Sequence, residues 1–224
     1  MPRPPLVPPT RSTYRHGDLR RALLDAGLAL AREGGPDAVT LREATRRVGV
    51  VPNAAYRHFA NHAQWLQAVR AEALAAVARS MEDELDAVPP PGPRTKPRGP
   101  AAIAHARARV RAVGRGYLRY AWSEPGLFRI AFLRPGEMAA ELDNDPAKAG
   151  RSGLNPFQLL GAALDGLAAA GVLPPARRAQ AEFIAWSAVH GLALLVSDGP
   201  LKGLQREQAQ ALGERLIDMV ERGL

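Results

Sequence analysis

The sequence predicts an all-α protein in which a small N-terminal three-helix domain precedes a larger helical domain. Apolar residues recur at three- and four-residue spacing through most of the 224 residues. No segment alternates apolar and polar residues as a half-buried strand does. Thr, Asn, Pro and Gly mark helix starts and stops at the positions where these residues cap helices. Together these three observations favour helices throughout.

The most informative segment is 39–62, which predicts two short helices and the start of a third. Thr40 is expected to cap the first, with Glu43 completing a capping box. Gly49 ends that helix because it tolerates a positive φ, and Pro52 opens the next. This outline is typical of a helix-turn-helix, whose second helix lies in the DNA major groove. The residues expected to face inward from that helix are Ala55, Tyr56 and Phe59.

A long helix is predicted to follow at 61–85, opened by a second capping box between Asn61 and Gln64. It leaves the helix-turn-helix without a break, so it is the natural mechanical link to the rest of the chain. Prolines then predict a loop or spacer at 88–100. Later helices are predicted at about 106–122, 127–133, 156–170, 175–196 and 204–222, with a mobile loop at 134–154.

One row of arginines follows the second long helix at four-residue spacing, namely Arg107, Arg111, Arg115 and Arg119. The simplest interpretation is a solvated face, paired with the acidic cluster at 82–86 on the preceding helix. Contact between this row and DNA is the less favoured alternative.

Composition narrows the classes of function. The net charge of +8 favours an anionic partner, and residues 1–62 hold ten arginines against five acidic residues. The absence of cysteine excludes disulfides, thiolate metal sites and Cys nucleophiles. No signal peptide or membrane span is evident, so a cytoplasmic location and no membrane partner are expected. The proline-rich residues 1–13 predict a disordered arm.

Residues Leu19 to Leu66 resemble the DNA-binding domain of TetR-family transcriptional regulators. The runs RRALLDAGLALAREGG, TLREATRRVGV and AYRHF carry this resemblance, and YRHGDLR is similar to the entry segment in one branch of the family. A DNA-binding domain at 14–62 and a helical ligand-binding and dimerisation domain at 63–224 follow from it. The context WSAVHGLALL, with Trp186, His190 and Gly191, resembles a C-terminal domain type named for its Trp-His-Gly motif.

The recognition-helix interpretation assigns roles by position. Asn53 is the best base-reading candidate, because Asn pairs bidentately with adenine. Pro52 and Ala54 offer apolar contact to thymine, and the remaining candidates meet phosphate or the minor groove. Taken singly, each is more simply a solvated surface residue. The full DNA-binding set is Arg15, His16, Thr40, Arg42, Pro52, Asn53, Ala54, Tyr56, His58 and His62.

Aromatic residues of the C-terminal domain are either core or the lining of an apolar effector pocket, and both interpretations stay open at this stage. The candidate ligand-binding residues are Tyr117, Trp122, Phe128, Phe132, Phe157, Trp186 and His190. Small and apolar residues near the C-terminus predict a homodimer seam made of Ala185, Ala188, Gly191, Leu192, Leu195, Leu212, Leu216 and Met219.

The sequence therefore predicts a homodimeric, ligand-responsive regulator that binds double-stranded operator DNA, most simply a repressor released by a small, apolar or amphipathic effector. The alternative is a non-specific or architectural DNA-binding protein without an effector. An enzyme is a distant third, because no catalytic constellation, P-loop or dinucleotide fingerprint is present. His58 and His62 straddle a helix break and lack a third ligand, so neither a metal nor a cofactor is expected.

Overall fold

A computed structural model describes residues 18–132 and 144–224, and within these ranges every regular element is helical, as predicted. The predicted arm at 1–13 and the first part of the predicted loop at 134–154 lie outside the described residues. The helices are α1 Leu19–Gly34, α2 Leu41–Val48, α3 Pro52–Ala55, α4 His62–Asp86, α5 Pro100–Ser123, α6 Pro125–Ala131, α7 Pro156–Ala169, α8 Pro175–Arg178, α9 Ala181–Ser197 and α10 Arg206–Gly223.

Helix α2 begins at the predicted cap, but the capping box is only half formed. The Thr40 hydroxyl accepts a hydrogen bond from the Glu43 amide at 3.3 Å. The amide of Thr40 donates instead to the Ala38 carbonyl at 3.0 Å. The Glu43 carboxylate is engaged by Arg46, at 2.7 Å, and so does not reach back. The prediction that Glu43 closes the box is therefore wrong.

The turn after α2 forms as predicted, whereas α3 is shorter and differently oriented. Gly49 adopts φ 77°, and Pro52 starts α3. Ala55 and Phe59 are buried, with 0% and 2% of their surface exposed. Tyr56 is 50% exposed, so its predicted inward orientation is wrong. Because α3 ends at Ala55, Tyr56 lies in the following turn and points to solvent.

Helix α4 spans 25 residues, roughly 37 Å at the α-helical rise. Asn61 caps it by accepting from the Gln64 amide at 2.9 Å, while the Gln64 side chain accepts from the amide of Ala60 rather than that of Asn61. Trp65 is fully buried and donates its indole N–H to the Leu23 carbonyl at 3.1 Å. The first turns of α4 are thus fixed to the helix-turn-helix domain through α1.

Helices α4 and α5 pack with their backbones almost in contact. A Cβ placed on Gly116 would lie 2.5 Å from the Met81 Cα and 2.5 Å from the Ser80 carbonyl oxygen. The Ser80 hydroxyl donates to the Gly116 carbonyl at 2.8 Å, and Arg119 donates to the Ser80 carbonyl at 2.9 Å. This crossing holds α4 to the larger domain.

The arginine row on α5 is an ion-paired seam rather than a solvated face. Arg111 bonds Glu221 and Asp218 of α10, and Arg115 forms two bonds to Glu214. Arg107 also pairs with Glu221, which is 3% exposed. Only one arginine of the row reaches the acidic cluster of α4, so the predicted pairing with that cluster is mostly wrong. That residue is Arg119, which bonds Asp83 and Glu84.

Two further departures concern the segments around α7 to α9. The predicted helix at 175–196 is broken, because Gln180 adopts φ 63° and separates α8 from α9. The described part of the predicted mobile loop, 144–154, is anchored to α4. Glu82, 5% exposed, accepts hydrogen bonds from the amides of Arg151 and Ser152, both at 2.8 Å, and from the Ser152 hydroxyl at 2.6 Å.

Replacement of Gly116 with Ala tests the contact between α4 and α5. The added methyl group meets the backbone of Ser80 and Met81, which cannot move aside as a side chain would, so we expect a loss of about 1–3 kcal/mol in the free energy of unfolding. Urea denaturation measures this. Gly166→Ala is the matched control, since a Cβ there meets nothing within 4 Å and should stabilise α7 by up to about 1 kcal/mol. Equal stability of the two variants would contradict the close approach.

Candidate nucleic-acid interface and effector cavity

Exposed side chains of the helix-turn-helix lie at the start of α2, on α3, in the turn after it and at the start of α4. Many belong to the predicted DNA-binding set, whereas Ala55 and Phe59 are buried in the core. Ala54 is half-buried, and the exposed members are Thr40, Arg42, Pro52, Asn53, Tyr56, His58 and His62. The other two members, Arg15 and His16, lie outside the described residues.

Ion pairs divide the arginines of this domain into two groups. Arg46 bonds Glu43, and Arg47 bonds both Glu43 and Glu33. The hydrogen bonds from Arg46 are the largest influence on Glu43 and lower its pKa to about 2, so the carboxylate stays charged at any working pH. Arg47 therefore braces α2 against the end of α1 through Glu33, whereas the Arg46 pair lies within α2.

Arg20, Arg42 and Arg57 are exposed and form no ion pair with another described residue. Arg20 lies 5.3 Å from the centre of the Phe59 ring, which leaves Arg42 and Arg57 as the second group. Arg42 follows the N-cap of α2. Arg57 lies in the turn after α3, beside Tyr56 and His58. Sequence reasoning missed Arg57, although its place within AYRHF was the available signal. Both guanidiniums remain open to an anionic partner.

An apolar cavity of about 60 Å³ lies in the larger domain, between α4, α5, α7, α9 and α10. Four of the predicted ligand-binding residues line it, together with aliphatic side chains from α4, α5 and α10. Two residues that sequence reasoning did not assign to it, Lys148 and Asn155, also reach its wall; Asn155 had been identified only as a helix cap. The four predicted residues in the lining are Tyr117, Phe132, Phe157 and Trp186.

The other three predicted ligand-binding residues lie elsewhere. Phe128 is fully buried and packs edge-on against Tyr117, with ring centroids 5.3 Å apart. Trp122 lines a different cavity. His190 stands behind the lining and contacts it through Tyr117. The lining of this cavity therefore includes neither Trp122, Phe128 nor His190.

A chain of hydrogen bonds joins three of these aromatic residues. The Trp186 indole N–H donates to the Tyr117 hydroxyl oxygen at 3.0 Å, and that hydroxyl lies 2.7 Å from Nδ1 of His190. Since the indole is only a donor, the Tyr117 proton is available for His190, whose Nδ1 then accepts. Burial lowers the pKa of His190, which favours the neutral imidazole that this arrangement requires.

One outward face of α9 is apolar, and α10 adds three apolar residues that are exposed or half-buried. Ala188, Gly191 and Leu195 share one face of α9 with Ile184, and the exposed fractions of Ile184 and Leu195 are 63% and 43%. A Cβ on Gly191 would meet nothing within 4 Å. On α10, Leu212 and Leu216 are half-buried and Met219 is exposed. The predicted seam residues Ala185 and Leu192 are instead buried in the chain's own core.

Replacement of His190 with Gln should weaken the acid sensitivity of folding. Because burial lowers the pKa of folded His190 below its ordinary value of 6.5, the unfolded chain binds more protons as the pH falls below about 6.5, and stability is lost. Gln accepts from Tyr117 but does not titrate. Urea midpoints at pH 7.5 and 5.5 should therefore differ less in the variant than in the native protein. Identical shifts in both proteins would show that His190 does not contribute.

Comparison with known proteins agrees with this geometry. Residues 23–69 match the family described as "Bacterial regulatory proteins, tetR family", and residues 110–220 match "Tetracyclin repressor-like, C-terminal domain". No curated protein is detectably similar. Among the described residues, no helix has the length and apolar character needed to cross a membrane.

Two solved structures share the fold over nearly their whole length. A protein of unknown function from a Rhodococcus species is 23% identical, with a TM-score of 0.70 over 96% of this chain and 99% of the other. The TetR family transcriptional regulator PfmR from Thermus thermophilus is 18% identical, with a TM-score of 0.52 over 90% of this chain and 98% of its own. With both family domains present in order and together covering most of the sequence, the chain belongs to the TetR family of bacterial regulatory proteins.

Proposed function

We propose that the protein is a homodimeric repressor that binds a palindromic DNA operator and is released when a small apolar or amphipathic effector enters the cavity of the larger domain. The observation that carries the proposal is the course of α4. This single helix begins at the cap of the DNA-binding domain, and its residues Leu74 and Met81 line the effector cavity. One rigid element therefore belongs to both sites.

The exposed helix-turn-helix surface supports recognition of the major groove. Asn53 stands at the second position of α3 with its side chain open to solvent, where it offers an amide to an adenine edge. Pro52 and Ala54 flank it and offer apolar contact to a thymine methyl. Tyr56 and Arg57 follow in the turn, where they meet phosphates.

Phosphate contact at the edge of this surface rests on a second set of groups. The amides at the start of α2 and the positive end of its dipole favour a phosphate near Thr40 and Arg42. His58 and His62 extend the surface beyond α3, where they donate hydrogen bonds to phosphates of the DNA backbone. The entry segment contributes Arg15 and His16, as the family resemblance implies.

Dimerisation is supported by the exposed apolar face of α9 and α10. Large apolar side chains are exposed on both helices, and a contiguous apolar patch of this kind typically marks a protein interface. A two-fold pairing of α9 and α10 with their symmetry mates would form a four-helix bundle. Two recognition helices are then held at the separation of about 34–36 Å that successive major grooves require.

Effector binding is supported by the apolar lining of the cavity, which combines aliphatic and aromatic side chains. About 60 Å³ is far below the 300–1,000 Å³ that drug-sized ligands occupy, so a ligand must push the walls apart. A polar group on the ligand can exchange hydrogen bonds with Tyr117 and Trp186, whose polar atoms are otherwise bonded to each other and to His190. The walls that move include α4 itself, through Leu74 and Met81.

A second contact carries wall movement to the DNA-binding domain. Phe132, which lines the cavity, follows directly after α6. At the other end of α6, a Cβ on Gly126 would overlap the Ala31 carbonyl oxygen of α1, so the two backbones touch. Arg32 of α1 also bonds Glu124 at 3.1 Å. Displacement of either α4 or α6 changes the tilt of the recognition helices and favours release.

Two substitutions separate base reading from phosphate anchoring. Asn53→Ala should weaken operator binding by about 1–3 kcal/mol and leave binding to random duplex nearly unchanged. Arg57→Ala should weaken binding to all sequences and lower the salt dependence by about one counterion per protomer. Fluorescence anisotropy titrations at several salt concentrations measure both effects.

The matched control is Arg94→Ala, which removes the same charge from the exposed loop between α4 and α5. It should change neither quantity. Equal affinity of the native protein for every duplex would instead favour the non-specific, architectural alternative. Equal losses on operator and random DNA would remove Asn53 from base reading.

Charge placed on the outer face of α9 should split the dimer. Leu195→Glu leaves the monomer intact because the side chain is 43% exposed, but in the dimer it buries an unpaired carboxylate. Sedimentation should then show a helical monomer that has lost operator binding. Ala101→Glu, at an exposed position near the start of α5, is the control and should remain dimeric. Full operator binding by the Leu195→Glu monomer would refute the proposed interface.

A further inference from the structure

A second, larger cavity lies beside the effector cavity. It is bounded by α5, the first residue of α6, the C-terminal end of α9 and the inner face of α10. Its volume is about 600 Å³, which falls within the range that binds small molecules. The two cavities share one lining residue, Ile217, which stands between them. A ligand bound in one cavity would therefore not extend into the other.

The cavity has an apolar floor. Trp122 and Leu118 of α5 face Val196 and Leu204, which flank the connection between α9 and α10. The indole nitrogen of Trp122 is buried and has no hydrogen-bond acceptor among the described residues. Buried donors are almost always paired, so this unpaired indole N–H beneath the floor favours a ligand that carries an acceptor oxygen, once the indole turns toward it. A ligand with an aromatic or aliphatic body and an oxygen-bearing head group fits this combination.

The charged residues of the wall leave an excess of positive charge. Arg115 is held by two hydrogen bonds to Glu214, and Arg119 pairs with Glu84 at 3.2 Å. These pairs account for both acidic residues of the lining. Lys202 and Arg206 are exposed at the rim and form no ion pair with another described residue. Arg206 also opens α10, whose dipole adds positive potential at that end.

We propose that this cavity is a second small-molecule site, which binds an amphipathic organic anion. The apolar body lies against Trp122 and Leu118, and the carboxylate, sulfonate or phosphate head lies between Lys202 and Arg206. None of the residues assigned to the dimer seam lines this cavity. The proposal depends neither on the operator nor on the identity of the effector.

Two dyes with one aromatic framework test the proposal. 8-Anilinonaphthalene-1-sulfonate carries a sulfonate, whereas N-phenyl-1-naphthylamine is the same framework without it. Fluorescence titration of the full chain should show that Lys202→Gln/Arg206→Gln weakens the anionic dye about tenfold and leaves the neutral dye within about twofold. The control, Lys96→Gln/Arg177→Gln, removes the same charge from exposed positions outside the cavity and should change neither affinity.

One substitution in each cavity completes the test. Trp122→Ala, which changes only the second cavity, should weaken the anionic dye, whereas Phe157→Ala, which changes only the effector cavity, should leave its affinity unchanged. The opposite pattern would assign the anionic dye to the effector cavity and overturn the proposal. An unchanged affinity of the Lys202→Gln/Arg206→Gln variant for the anionic dye would overturn it as well, as would an equal loss in the control variant, which would indicate a general effect of net charge.

Discussion

The contact on which the rest of the structure depends is the crossing of α4 and α5 at Gly116. Because no side chain separates the helices there, the backbone of Met81 rests on the glycine and cannot shift without moving both helices. Ser80 and Arg119 fix the crossing with hydrogen bonds between side chains and backbone carbonyls. Well-packed contacts of this kind move between discrete arrangements rather than deforming continuously. Under the proposed function, displacement of the cavity wall would therefore move α4 as a whole rather than bend it at this crossing.

The small effector cavity has a thermodynamic consequence. A ligand shifts a conformational equilibrium only by the difference between its affinities for the two states. The closed state holds about 60 Å³ of apolar space, so it binds a ligand of ordinary size poorly. Under the proposed function, a state with the walls moved apart would bind the effector better, and that difference in affinity would drive the shift. A cavity that must open to admit its ligand would then give a sharper response than a permanently open one.

The sequence predicted what short-range chemistry determines. Thr40, Gly49, Pro52 and Asn61 mark helix ends through their own backbone preferences, and all four lie at the expected boundaries. Prediction from the sequence failed where the contact partner of a residue lies far away along the chain. Helical spacing placed the arginines of α5 on one face, but could not reveal that α10, not α4, lies opposite most of them. Lys148 reached the cavity through a loop whose path no local pattern encodes. The break between α8 and α9 lies at Gln180, which is neither Gly nor Pro, so no local signal predicted it.

Fewer arginines are available to contact DNA than the net charge of +8 suggests, because many form ion pairs within the protein. In the larger domain, Arg107, Arg111 and Arg115 form ion pairs with acidic residues of α10. In the DNA-binding domain, Arg46 pairs with Glu43 and Arg47 pairs with Glu33. Few described cations on the helix-turn-helix remain unpaired. Phosphate neutralisation supplies most non-specific affinity, so one such domain holds random DNA weakly. Two domains in fixed register double both the phosphate contacts and the base contacts. Under the proposed function, a chain with this charge distribution would depend on its dimer for binding and on its base contacts for selectivity, which favours the operator-binding proposal over an architectural role.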